Sequence, residues 1–96
     1  MRKVGDKMLK DFTDKELKTF IDFQTKHLKK NLERETGAKI GKKQLERKLE
    51  KVSQDWMDLK VSEINFIQYI VEKPAQSTGE ILVTLPAVEV AKEVIK

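Results

Sequence analysis

Lys43, Arg47 and Lys51 follow one another at i, i+4 and i+8, with Gln44, Lys48 and Gln54 beside them. On a helix this spacing stacks three cations in one row. Arginine offers a planar fork of donors that fits phosphate oxygens or the O6/N7 edge of guanine, glutamine fits the adenine edge, and lysine acts as a point charge on phosphate. A rigid helix carrying this row addresses phosphates and base edges in a major groove. The row belongs to a wider basic window. Between Lys26 and Lys51 there are ten basic residues (Lys26, Lys29, Lys30, Arg34, Lys39, Lys42, Lys43, Arg47, Lys48, Lys51) and four acidic ones (Glu33, Glu35, Glu46, Glu50). The window carries +6 while the whole chain carries +4, so the remainder sums to −2. Localised positive charge is the footprint of a polyanion partner. It is equally the composition of a solubilising lysine-rich helix face, and the sequence leaves both readings open.

Other chemistry is poorly supplied. The one histidine, His27, has neither cysteine nor carboxylate four residues to either side, so it lacks a second ligand and a base partner and reads as structural. No cysteine is present, which removes disulfides, thiolate metal sites and cysteine nucleophiles and fits a reducing cytoplasm. The four glycines, Gly5, Gly37, Gly41 and Gly79, are isolated and form no phosphate cradle. The carboxylates sit among lysines, as in exposed helix ion pairs. The expectation is a non-enzymatic protein with no cofactor, no metal and no small-molecule substrate. No apolar run approaches the ~20 residues of a membrane span, so neither secretion nor membrane insertion is expected and the cytoplasm is the expected compartment.

The 96 residues make one domain, of a size that buries roughly 60–65% of its unfolded surface. Residues 1–12 carry basic charge without a clean period and read as a flexible basic arm, with a short edge strand over the first ten as the alternative, leaving 13–96 as the folded domain. Thr13-Asp-Lys-Glu16 is a capping box, and Phe12 before it can staple onto Leu17. Leu17, Phe20, Ile21, Leu28 and Leu32 share one face of the helix that begins there. Gly37 is a natural left-handed terminator, so the first helix is expected over Asp14 to Thr36. After the short stretch Ala38-Lys39-Ile40-Gly41, a second helix begins near Lys42 and folds back on the first. Its apolar residues Leu45, Leu49, Val52, Trp56 and Leu59 step by 4, 3, 4, 3, the seam of one helix laid along another. That rhythm favours one unbroken helix, with a break at Ser53 as the alternative. Trp56 belongs to the seam and reads as core, as do Phe66 and Tyr69, rather than as stacking platforms for single strands.

Asn65 to Glu72 and Glu80 to Leu85 are rich in β-branched and aromatic residues and predict a hairpin with a polar tip, Lys73 to Gly79. A helix from Ser62-Glu63 through Ile64, Ile67 and Val71 is the alternative for the first strand. Pro86 opens a final helix, Ala87 to Lys96, whose Val88, Val90, Ala91, Val94 and Ile95 occupy both flanks. One flank can pack on the domain and the other needs a cover, which predicts a homodimer joined through this segment. The fold class is therefore α+β: an antiparallel helical pair, a β-hairpin and a short C-terminal helix.

Helices succeeded by a two-stranded hairpin resemble, from Thr13 to Leu85 and in order of elements, the winged helix-turn-helix group of DNA-binding domains. The resemblance implies that the second helix, or its second half if it breaks at Ser53, is the recognition element. It makes Lys73 to Gly79 the wing, and the terminal helix suits the dimerisation that such domains often use. The expected nucleic-acid contacts are Lys39, Lys42, Lys43, Gln44, Arg47, Lys48 and Lys51, with Lys73, Gln76, Ser77 and Thr78 at the hairpin tip. Two functions stay open: a dimeric binder of double-stranded DNA, and a protein-interaction module such as an adaptor, inhibitor or assembly subunit.

Overall fold

The computed structural model describes residues 4–37, 39–72 and 79–95. Its longest element is helix α1, Asp14–Thr36. The capping box forms as expected: the Glu16 amide donates to Thr13 Oγ1 at 3.1 Å, and the Thr13 amide donates to Glu16 Oε1 at 3.0 Å. At the other end Gly37 adopts φ 71°, a left-handed conformation that a side chain would strain. The α1 face that turns inward carries Phe20, Ile21, Leu28 and Leu32, together with two polar residues, Gln24 and Thr25.

Helix α2, Lys42–Ser53, starts where its sequence indicates and returns along α1. Glu33 braces the connection, accepting from the Ile40 amide at 3.2 Å while its other oxygen meets Lys29 at 3.4 Å. Leu45 and Leu49 are buried against α1. The single long helix is not what forms. Ser53 Oγ donates to the Glu50 carbonyl at 2.7 Å, and the chain tightens into a 3-10 turn, Gln54–Trp56. A hydroxyl bonding back to its own helix competes with the regular ladder, and here it sits at the break. The apolar rhythm runs on because the 3-10 turn keeps Trp56, only 7% exposed, on the core side.

The expected arm is also part of the fold over the residues described. Val4–Asp6 and Leu9–Asp11 are 3-10 turns. The Leu9 and Lys10 amides donate to the carbonyls of Leu59 and Met57, and the Val61 amide donates back to Lys7. Leu9 has no exposed surface, and Phe12 meets Phe20 edge to face with ring centroids 5.5 Å apart. Gly5 lies so close to Ser62 that a Cβ there would stand 3.3 Å from the serine Cβ. A charged sequence with few apolar residues conceals this strap, because two inward side chains and three backbone hydrogen bonds suffice to hold it.

Beyond the strap, Val61–Ile64 forms the one-turn helix α3, with Glu63 accepting from the Lys60 amide. Asn65 and Phe66 are in a turn, so strand β1 is Gln68–Glu72 and starts later than its composition suggests. It pairs antiparallel with β2, Glu80–Thr84, in the register Gln68↔Thr84, Ile70↔Leu82, Glu72↔Glu80. Val71 and Val83 face the core. Helix α4, Ala87–Val94, packs on α1, on α3 and on the N-terminal strap. Asn65 Oδ1 accepts from its Val88 amide at 3.2 Å. Three elements together bury Ala87, Val90 and Ala91 completely and leave Val88, Val94 and Ile95 half-buried. The uncovered apolar flank expected of α4 is therefore not there. Among the described residues no helix is long and apolar enough to cross a membrane. The architecture is α+β: long helices, an antiparallel hairpin and a C-terminal helix.

Candidate nucleic-acid interface

With Leu45 and Leu49 turned to α1, the helical period directs Lys43, Gln44, Arg47, Lys48 and Lys51 outward, and all five are exposed. Lys39 is exposed just ahead of the helix and Lys42, its first residue, is half-buried. The row from Lys43 to Lys51 covers about 12 Å at the helical rise of 1.5 Å per residue. Glu46 and Glu50 share the helix, yet among the described residues neither is ion-paired, and the one α2 residue in an ion pair is Lys42. Like charges four residues apart cost about 0.2–0.5 kcal/mol per pair, so Lys43/Arg47 and Arg47/Lys51 are a repulsive arrangement that an anion would relieve.

A groove of ≈ 290 Å³ adjoins this row at the start of α2, lined by Lys26, Lys29, Lys30, Glu33 and Lys42. Asp22 of α1 lies beside it, with one oxygen 3.0 Å from Lys42 Nζ and the other 3.3 Å from Lys26 Nζ. The Lys42 hydrogen bond, seconded by Lys26, holds the Asp22 carboxyl below its ordinary value against the opposing effect of desolvation. The first turn of α2 has no acidic residue of its own, so this carboxylate from α1 is what steadies Lys42 there. Lys30 has no carboxylate partner among the described residues. Four lysines against Asp22 and Glu33 leave the groove net positive.

The sequence thus identifies the row on α2 correctly as an exposed one, and the structure joins to it a second basic element, from Lys26, Lys29 and Lys30 of α1, that no local spacing announces. Lys73, Gln76, Ser77 and Thr78, the expected contacts at the hairpin tip, lie outside the described residues. His27 does acquire a partner, Glu93 of α4, 3.9 Å from Nε2, a pairing set by tertiary packing across 66 positions of sequence. Among the described residues no three His, Asp or Glu side chains converge as a metal site would require.

A second surface stands out because it is apolar. Phe66 is 80% exposed, contrary to its reading as core, and Ile70 and Leu82 are 54% and 63% exposed. Ile70 and Leu82 are direct cross-strand partners on the outer face of the hairpin. Their parity is legible in the sequence: Ile70 and Glu72 flank the inward Val71, and Leu82 and Thr84 flank the inward Val83. Only the pairing register shows that the two exposed apolar residues meet. No family model matches the chain, and neither curated proteins nor solved structures contain a match.

Proposed function

We propose that this chain is a small, non-enzymatic, cytoplasmic protein that binds double-stranded DNA through the outer face of α2. The observation that carries the reading is the row Lys43, Arg47, Lys51, without ion-pair partners among the described residues and exposed on a helix whose opposite side is fixed to α1. A cylinder of helix fits a B-form major groove about 12 Å wide. In this reading Arg47 and Gln44 approach base edges, while Lys43, Lys48 and Lys51 meet phosphates. Lys39, with Lys29 and Lys30 on the α1 side of the groove, extends the contact along the flanking backbone, and Lys42, paired with Asp22 like Lys26, stands beside them. The winged-domain resemblance assigns recognition to the second helix or to the segment beyond its break. Beyond the break the chain forms only a 3-10 turn, Gln54–Trp56, too short to reach into a groove, so that role falls to α2.

Five or six phosphate contacts would give a slope of log affinity against log salt of about −5, at roughly 0.9 per phosphate released from its counterions. Replacing Lys43, Arg47 and Lys51 together by alanine should make that slope shallower by up to about 1.8, from the two phosphate contacts of Lys43 and Lys51. Arg47→Ala by itself should cost on the order of 1–3 kcal/mol on a preferred site and little on random duplex. A parent slope shallower than about −2 would sink the proposal. The second reading, a protein-interaction module, draws on the exposed Phe66, Ile70 and Leu82, which duplex binding does not use.

A further inference from the structure

The outer face of the hairpin consists of three cross-strand rows. Gln68 and Thr84 form the first, Ile70 and Leu82 the second, Glu72 and Glu80 the third, and every one of these six residues is exposed. Each row therefore has its own chemistry: hydrogen-bond donors, an apolar pair, and two carboxylates that only accept. Directly opposed like charges destabilise an antiparallel pair, and among the described residues neither Glu72 nor Glu80 has an ion-pair partner. We infer that this face is a self-complementary docking surface whose occupant is the same face of a second copy of the chain.

The order of the rows selects the geometry. Consider a two-fold axis lying between two such faces, perpendicular to the strands and passing through the central row. It reverses the strand direction, so Ile70 lies on the second copy's Ile70 and Leu82 on its Leu82. Gln68 then lies over the second copy's Glu72, and Thr84 over its Glu80. Each carboxylate row meets a row carrying amide N–H and hydroxyl donors, twice over by symmetry. An axis along the strands would instead gather all four carboxylates at one end of the interface, and like charges brought together in this way are strongly disfavoured. Aligned sheet packing, with strands within about 30° of each other and faces about 10 Å apart, accommodates the first arrangement.

The face is small. Five strand residues reach about 17 Å, over two strands about 5 Å apart, so the buried area falls far short of the ~800 Å² per partner of a standard stable interface. The association is accordingly weak and depends on concentration. It requires no nucleic acid, so its test and that of DNA binding succeed or fail separately.

Sedimentation equilibrium on the DNA-free chain from about 10 μM to about 1 mM covers the range in which weak contacts report. The mass should rise towards two chains across that range. Ile70→Lys should hold it at one chain, with an unchanged melting curve because the side chain is exposed in the monomer. Gln68→Lys should tighten the dimer by roughly threefold to tenfold at low salt, since each new ammonium meets the second copy's Glu72 at a solvated rim, and high salt should erase that gain. A parent mass of one chain throughout would overturn the inference. So would a dimer that survives Ile70→Lys, which would join through another surface such as a free strand edge. A Gln68→Lys variant that associates no more tightly than the parent would overturn the antiparallel arrangement of rows.

Discussion

Replacing Asp22 by asparagine should lower the stability of the fold and raise its affinity for DNA, two effects of opposite sign from one carboxylate. Asp22 holds Lys42 at 3.0 Å and Lys26 at 3.3 Å, joining the middle of α1 to the first turn of α2. Both pairs are solvated, with side-chain exposures of 41% and 57% on the lysines and 32% on the aspartate. Such pairs contribute about 0.2–1 kcal/mol each, so the loss should be on the order of 1 kcal/mol, or a melting point lower by roughly 4–8 °C for a domain of this size. The same change releases two ammonium groups into the basic groove. If each finds a phosphate, the salt slope steepens by about 0.9 per contact, up to about 1.8 in all. Fluorescence anisotropy on a labelled random duplex across a salt series measures the second effect, and a thermal melt measures the first. A lowered melting point with affinity and slope unchanged would refute the reasoning, because the groove would then lie off the path of the duplex. The pH dependence supplies an internal check. The folded-state Asp22 carboxyl, held down first by Lys42, titrates below its ordinary value of 3.8. Its stabilisation is therefore complete above that pH and disappears as pH falls through the lower folded value. The difference between parent and Asp22→Asn should close over that acid window and stay constant above it.

Gln24 is 2% exposed, and neither its amide nitrogen nor its amide oxygen has a partner among the described residues. Gln24→Met keeps the volume and removes both polar atoms, so it should stabilise the protein by about 1–3 kcal/mol in denaturant titrations; a loss of stability would mean that the amide is satisfied. Leu9→Ala should cost about 2–5 kcal/mol, the range for a fully buried leucine, whereas an unaffected melt would restore the N-terminal segment to the status of a free arm. Trp56→Ala should cost about 3–5 kcal/mol, a large part of the whole stability of a small domain, and a melt scarcely shifted from the parent would place the indole outside the core.

Local rules written into the sequence are enough for α1. A capping box and a left-handed glycine depend only on neighbours a few positions away, and Thr13, Glu16 and Gly37 mark both ends of α1 correctly. The outward direction of Lys43, Arg47 and Lys51 is legible for a similar reason, since the helical period that sends Leu45 and Leu49 inward sends these residues out. The break at Ser53 is not, because a 3-10 turn preserves the apolar spacing that announces a continuous helix. Phe66 reads as core from its residue type, but a turn between α3 and β1 leaves it in solvent. Tertiary structure decided what neighbours in sequence cannot. Long-range hydrogen bonds tied the strap to the segment Met57 to Val61 and set Leu9 and Phe12 in the core, and packing against three elements covered α4. The fold of α2 onto α1 set Asp22 between Lys26 and Lys42 and so built the groove. The strand register brought Ile70 to Leu82 and Glu72 to Glu80. Each of these depends on contacts between distant segments, whose geometry is fixed only when the whole core closes.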